Sequence, residues 1–183
     1  DIIRSISERY KLVHRLDRET SGVLVIGKKT SAAAAFSELL RSKQIEKIYW
    51  ALVLGRPPKP SGKVNEALMK KGADKDGKGM QKIEVDAEGK RAVTEYRTLE
   101  ELAGKFTWLE LRPITGRMHQ LRVHTAHLGC PIIGDGKYGG AAVQVKGMER
   151  KLHLHARQII IPELGIDVTA PLPPHMEQYA PDI

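Results

Sequence analysis

The sequence predicts an α+β fold built on a largely antiparallel sheet, and three observations predict it. Short apolar runs rich in β-branched and aromatic residues recur, as in Val23-Leu-Val-Ile26 and Ile48-Tyr-Trp-Ala-Leu-Val-Leu54. Helical composition is confined to few segments, chiefly residues 32–41 and 118–128. Strands and helices do not alternate in the regular βαβ order that a parallel sheet needs. At 183 residues the chain is long enough for one well-packed domain over 1–183.

Taken in order, the strand at residues 23–26 is followed by Thr30 or Ser31 as the cap of an alanine-rich helix over 32–41. The strand at 48–54 is closed by Gly55 and the turn-rich Pro57-Pro-Lys-Pro60. Residues 56–92 are dominated by glycine, proline and alternating charge, and read as an exposed excursion with a short ribbon around 81–85. Strands at 92–99 and 106–112 have hairpin spacing. A helix over 118–128 ends on Gly129, with Pro131 just beyond it. Residues 159–161 and 166–169 flank a Pro162-Glu-Leu-Gly165 turn as another hairpin, and the proline-rich end holds room for a short helix. No fixed-period repeat is present.

Thirty Lys+Arg against twenty-two Asp+Glu give a net charge of +8. Such a field attracts polyanions and gains from the counterions that phosphates release, although a solvated basic surface gives the same number. Aromatic residues are only 5%, which argues against a broad stacking platform for single strands. No apolar run approaches the roughly 20 residues that a bilayer span requires, and no signal peptide is seen. Cys130 is the single cysteine, so an internal disulfide is excluded and a reducing, cytoplasmic setting is expected. The first residue is Asp1 rather than Met, so the native start is expected to lie elsewhere.

Two clusters carry chemistry. In His14-Arg-Leu-Asp-Arg-Glu-Thr-Ser-Gly22 a carboxylate, Asp17, sits between two arginines just before a strand. Arg15 and Arg18 are suited to phosphates, while Thr20 and Ser21 are expected to fix the loop through hydroxyl-to-backbone bonds. The bland alternative is a solvated loop with incidental ion pairs. In Pro113-Ile-Thr-Gly-Arg-Met-His-Gln-Leu-Arg-Val-His124, Gly116 permits a tight turn into a helix whose start carries Arg117, His119 and Arg122, a reasonable anion site. The alternative is that its histidines are ordinary core residues. A metal site is not expected: His124 and His127 have ligand spacing on a helix, but no acidic residue stands beside them in sequence.

The first cluster resembles the signature of the RluA/RluC family of RNA pseudouridine synthases, most nearly the RluC type. So do Thr115-Gly-Arg-Met-His-Gln-Leu-Arg-Val-His124, Leu128-Gly-Cys-Pro-Ile-Ile-Gly-Asp135 with Tyr138-Gly, Lys47-Ile-Tyr-Trp-Ala51 and Leu152-His-Leu-His-Ala156. These motifs run in order from about Tyr10 to Pro174. The resemblance implies a long mixed sheet, mainly antiparallel, split by a cleft for the target nucleotide, and no metal or organic cofactor. It also implies that Asp17 is the catalytic aspartate, Tyr49 the active-site tyrosine, Arg122 the basic residue pairing with the aspartate, and Leu121 a wall of the uracil pocket. Arg15, Arg18 and Arg117, with His14 and His119 as scaffold of the two loops, complete the expected substrate contacts. The family's S4-type RNA-binding module and its Lys-Pro turn do not appear in the thirteen residues before His14.

Three expectations follow. The chain isomerises uridine to pseudouridine in structured RNA, large-subunit ribosomal RNA first and transfer RNA as the alternative, working as a monomer away from membranes. An Asp17–Arg122 ion pair lies in the cleft. Tyr49 stacks on the uracil and helps to remove the proton from its carbon 5, although a strand tyrosine more commonly completes a core. The rivals are a non-catalytic RNA-binding ribosome-assembly protein on the same scaffold, and a metal-dependent phosphodiesterase using Asp17 and the histidines.

Overall fold

A computed structural model describes residues 10–72 and 81–183. Its centre is a seven-stranded sheet. The strands are β2 (Ser21–Gly22), β4 (Glu46–Leu54), β5 (Ser61–Asn65), β8 (Val93–Leu102), β9 (Phe106–Pro113), β10 (Leu154–Ile161) and β11 (Ile166–Thr169). The order is β11-β10-β4-β9-β8-β5, with every pair antiparallel. The short β2 joins β10 in the parallel sense, which makes the sheet mixed but mainly antiparallel, as the sequence predicts. Two small ribbons flank it: β1 (Lys11–Leu12) with β3 (Ile26–Gly27), and β6 (Leu68–Lys71) with β7 (Lys82–Val85).

The helices are α1 (Thr30–Arg41), α2 (Gln120–His127), and the single turns α3 (Gly136–Gly139) and α4 (Pro174–Glu177). Helix α1 begins two residues earlier than its alanine run suggests. Its N-cap is Lys29, which makes no side-chain cap bond, so neither Thr30 nor Ser31 caps it. The turn after β10 ends on Gly165 at φ 61, where a left-handed residue is needed and glycine meets it without strain.

Alternation along β4 sorts its side chains onto two faces. Ala51 and Val53 pack with Leu109, Leu111 and Leu154 on one face, together with Leu121 of α2. Leu52 packs with Trp108 and Met176 on the other. Trp108 is fully buried and donates through its indole N–H to the Tyr179 carbonyl, which ties the C-terminal segment to the back of the sheet. Helix α1 closes a third cluster through Phe36 and Leu39 against Ile159 and Ile161.

The described parts of the stretch from 56 to 92, residues 56–72 and 81–92, are less exposed than their composition suggests. Val64 is buried on β5, the sheet's edge strand. Leu68 and Ile83 of the β6–β7 ribbon pack with Ala92 against Val123 of α2. Leu68, Ile83 and Val85 share one face of this ribbon, with Lys70 at its end, so an overall polar segment still presents an apolar patch. The part of the expected excursion at 73–80 lies outside the described residues. Among the described residues no helix is long and apolar enough to cross a membrane.

Candidate active site

Asp17 lies in the loop between β1 and β2, and this loop is fastened at four points. The His14 ring accepts a hydrogen bond from the Val25 amide through Nε2 (2.8 Å) and stacks on Phe36 with centroids 5.6 Å apart. The Thr20 amide donates to the Asp17 carbonyl (2.9 Å), closing a turn around the aspartate. Ser21 Oγ meets His155 Nδ1 at 2.8 Å, and His155 Nε2 faces the Ala170 carbonyl. Gly22, at φ +114, lies so close to Ala156 that any Cβ would collide with that residue's backbone. The expected hydroxyl-to-backbone bonds are therefore replaced. Ser21 bonds a side chain of the central sheet, while the buried Thr20 hydroxyl has no partner among the described residues.

The loop closes over a cavity of about 320 Å³. His14, Arg15, Asp17, Tyr49, Arg117 and Leu121 all line it, from three regions far apart in sequence. The floor is the face of β4 that carries Ala51 and Val53 deeper in the core; towards the loop that face turns polar with Tyr49 and Lys47. Burial, with the Asp17 charge added, pushes the Tyr49 phenol up to about 12. It is therefore a neutral phenol at any physiological pH. Among the described residues Asp17 is the only carboxylate on a wall that also carries Arg15, Lys47 and Arg117, a balance suited to an anionic substrate.

The second motif forms the opposite wall. Gln120, buried at the start of α2, is a hub: its amide nitrogen donates to the Val93 carbonyl and Thr94 Oγ1. Its amide oxygen accepts from Thr115 Oγ1 and from the Arg117 amide. These four bonds hold the Thr115–Gly116–Arg117 turn at the cavity's edge. His119 has a left-handed backbone (φ 53) as the residue before the helix, and its Nδ1 meets the Tyr138 hydroxyl at 2.7 Å. His124 is fully buried between Thr94 Oγ1 and the Glu66 carbonyl, a core histidine as the bland reading has it.

Arg122 differs from expectation. Its guanidinium forms a two-pronged pair with Asp135, Nε to Oδ2 at 2.8 Å and Nη2 to Oδ1 at 2.7 Å, rather than with Asp17. Both side chains are almost wholly out of solvent, and the guanidinium also lies 5.1 Å from the centre of the Tyr138 ring. The physical reason is geometric: Asp135 caps the α3 turn by accepting from the Tyr138 amide, so its carboxylate is fixed beside α2. A fork-shaped cation is best satisfied by such a fixed carboxylate. Asp17 still acts on Arg122 through space. Burial is the largest influence and opposes the guanidinium charge, but the bonds and charge of Asp135, with smaller contributions from Tyr138 and Asp17, together outweigh it and raise the pKa. Burial lowers the pKa of His119, and Asp17 works against that shift.

Of the sequence-predicted residues, six thus line the Asp17 cavity, and Arg18, His119 and Arg122 line an adjoining one with Lys137. Sequence reasoning missed Asp135 and Tyr138 as partners of α2, Gln120 as the hub, and Lys47 in the cavity floor. The signal for Lys47 was available: it is two residues before Tyr49 on a strand, hence on the same face. Among the described residues no group of three His, Cys, Asp or Glu side chains is arranged to hold a metal ion.

An open, mainly antiparallel sheet with a loop-borne aspartate over a basic cleft suits a polyanionic substrate, and comparison with known proteins makes the class specific. The sequence profile of the RNA pseudouridylate synthase family matches residues 4–127, and the chain belongs to that family. It is 40% identical to ribosomal large subunit pseudouridine synthase C of Rickettsia typhi, over 84% of this chain and 49% of that protein. The protein of the same name from Vibrio cholerae is 39% identical over 92% of this chain and 53% of its own length. The mitochondrial RNA pseudouridine synthase 4 of Arabidopsis thaliana is 34% identical, covering 93% and 50% respectively. Human RNA pseudouridylate synthase domain containing 4 superposes with a TM-score of 0.74 at 34% identity, over 90% of this chain and 72% of that one. The chain spans about half the length of the curated relatives it matches.

Proposed function

We propose that the chain isomerises uridine to pseudouridine in RNA, with Asp17 as the central catalytic group. The observation that carries this reading is the single cavity in which Asp17, Tyr49 and Leu121 meet beneath three basic side chains. The reaction breaks the bond between uracil N1 and the ribose, turns the base, and joins its carbon 5 to the same sugar carbon. Carbon 5 loses a proton and N1 gains one, so nothing is added or lost overall. A uracil stacked in folded RNA must first be everted, at a cost of a few kcal/mol that contacts to the backbone offset. Asp17 acts on the sugar side as a carboxylate. Leu121 gives the uracil an apolar wall.

Tyr49 serves as a neutral phenol, a stacking face with a hydrogen-bond donor; with its pKa near 12 it offers little phenolate to take the carbon 5 proton directly. Arg122, held by Asp135, contributes a fixed positive field to Asp17 rather than a direct bond. Large-subunit ribosomal RNA is the substrate that the names of the Rickettsia and Vibrio relatives favour. The lone, buried Cys130 supports a cytoplasmic setting, and the enzyme is taken to act there as a monomer. Incubating the protein with ribosomal RNA labelled with tritium at carbon 5 of uridine tests the reading. Release of tritium to water, undiminished by chelator, is expected; strand cleavage without release would refute it.

A further inference from the structure

The floor of the Asp17 cavity contains a cation that the reaction as described leaves without a task. Lys47 lies on the same face of β4 as Tyr49 and lines the Asp17 cavity. It also lines a neighbouring groove whose wall carries Arg41, Lys43 and Arg112 together with Glu46 and Glu95, so its cations outnumber its carboxylates. The two hollows share Leu40, Lys47, Pro113, Thr115, Gly116 and Arg117, so one opens into the other past the lysine. The ammonium sits beside Gly116: a Cβ on that glycine would be 3.7 Å from Nζ, in ordinary van der Waals contact.

Arg41 and Arg112 of the groove are paired, with Glu38 and with Glu110 and Glu46. Lys47 makes no hydrogen bond or ion pair among the described residues. Burial alone pushes its ammonium pKa down, with no carboxylate acting to restore it. Its charge also bears on His14, lowering that ring's pKa after burial has done so. A half-buried cation without a counter-charge is costly in the free protein, and an anion that arrives with the substrate removes the cost.

We infer that Lys47 binds the backbone phosphodiester next to the everted uridine, where the RNA strand passes from the Asp17 cavity into the Lys43 groove. This rests on the reading of the chain as an RNA-modifying enzyme and adds a strand path to it. The uracil and ribose occupy the first hollow, the flanking phosphate meets Lys47 at the junction, and the next nucleotides run beside Lys43, carried on a left-handed turn (φ 59).

The test is the salt dependence of binding to a fluorescein-labelled twelve-residue oligouridylate, followed by anisotropy from low to moderate KCl. Removing one phosphate contact lowers the slope of log affinity against log salt by about 0.7 for a single strand. Lys47→Met is expected to show that decrease, with roughly tenfold weaker binding at low salt, an estimate for one charge-assisted contact. Lys47→Arg is expected to bind with the wild-type slope. If Lys47→Met melts below the assay temperature, Lys47→Gln provides the same comparison. An unchanged slope and affinity in the neutral variants would overturn the assignment, as would weaker binding with the slope intact. Loss of tritium release in Asp17→Asn alongside an unchanged Lys47→Met slope would remove the lysine contact while leaving the proposed reaction standing. Wild-type protein that binds the oligomer but releases no tritium from ribosomal RNA would do the reverse.

Discussion

Replacing Arg122 by methionine removes the cation from the pair that joins α2 to the α3 turn, and the structure sets the size of the effect. Two short bonds of 2.8 and 2.7 Å are lost, and the Asp135 carboxylate, with a fully buried side chain, is left without its cation. Stranding a buried charge in this way costs about 3–5 kcal/mol. A protein of this size has a total stability of roughly 5–15 kcal/mol, so about a fifth or more of it is at stake. At about 2–4 °C per kcal/mol for chains of 150–250 residues, the melting temperature should fall by roughly 6–20 °C. Urea titrations of Arg122→Met, Asp135→Asn, the double variant Arg122→Met/Asp135→Leu and Asp17→Asn give the comparison. Both single changes in the pair should be severe, and the double variant should regain much of the loss because no charge is left buried. Asp17→Asn should stay within about 1 kcal/mol of wild type, since Asp17 does not pair with Arg122. A loss in Asp17→Asn as large as that in Asp135→Asn would refute the pairing described above.

Other outcomes follow from the same structure. Tyr49→Phe should retain the fold, and the alkaline side of its activity profile between pH 7 and 10 should match that of wild type. A phenol with a pKa near 12 loses no proton in that range, and a tyrosine-dependent limb there would contradict this assignment. Gly22→Ala should weaken activity and lower thermal stability by more than about 1 kcal/mol, because its Cβ would strike Ala156 at a positive φ; a wild-type melting curve would show the contact to be soft. Thr20→Val should be neutral or slightly stabilising in denaturant titrations, since the hydroxyl it removes is buried without a partner.

Stability should also fall as pH is lowered below about 6.5, the usual histidine value. Burial holds His124 and His153 below that value, and His153 Nε2 has no hydrogen-bond partner among the described residues. The unfolded chain therefore binds more protons there, and each histidine contributes a slope of up to about 1.4 kcal/mol per pH unit. This contribution is complete above the unfolded value and lost on acidification through the window down to the folded one. His153→Asn should flatten the dependence measured by urea titration between pH 7 and 5, and an equally steep variant would rule His153 out as a source.

Much of the fold was legible because it rests on local signals. The β-branched runs of β4 and β9, the Gly129 stop after α2 and the Gly165 turn are each specified by their own residues. Residues 61–71 were less legible because a polar strand can still close a sheet edge with one buried side chain, Val64, and composition averages that away. Residues 23–25, apolar as they are, form no strand: β2 ends at Gly22, and Val23 and Val25 pack against the α1 cluster instead. The motifs brought Asp17, Tyr49 and Leu121 together correctly in sequence order. They could not reveal Arg122's partner, because Asp135 lies 13 residues on and meets α2 only through the intervening turns. Lys47 escaped notice for another reason. A strand lysine normally faces water, and that expectation outweighs the sequence signal, its place two residues before Tyr49 and so on the same face of β4.

The most direct test pairs binding with turnover in a single variant. Asp17→Asn keeps the size of the side chain and removes only its charge from a wall that is otherwise basic. The account predicts that this variant binds labelled oligouridylate as tightly as wild type, or more tightly, yet releases no tritium from carbon 5 of ribosomal RNA uridines in a single-turnover assay. Tritium release at a rate near that of wild type would contradict it.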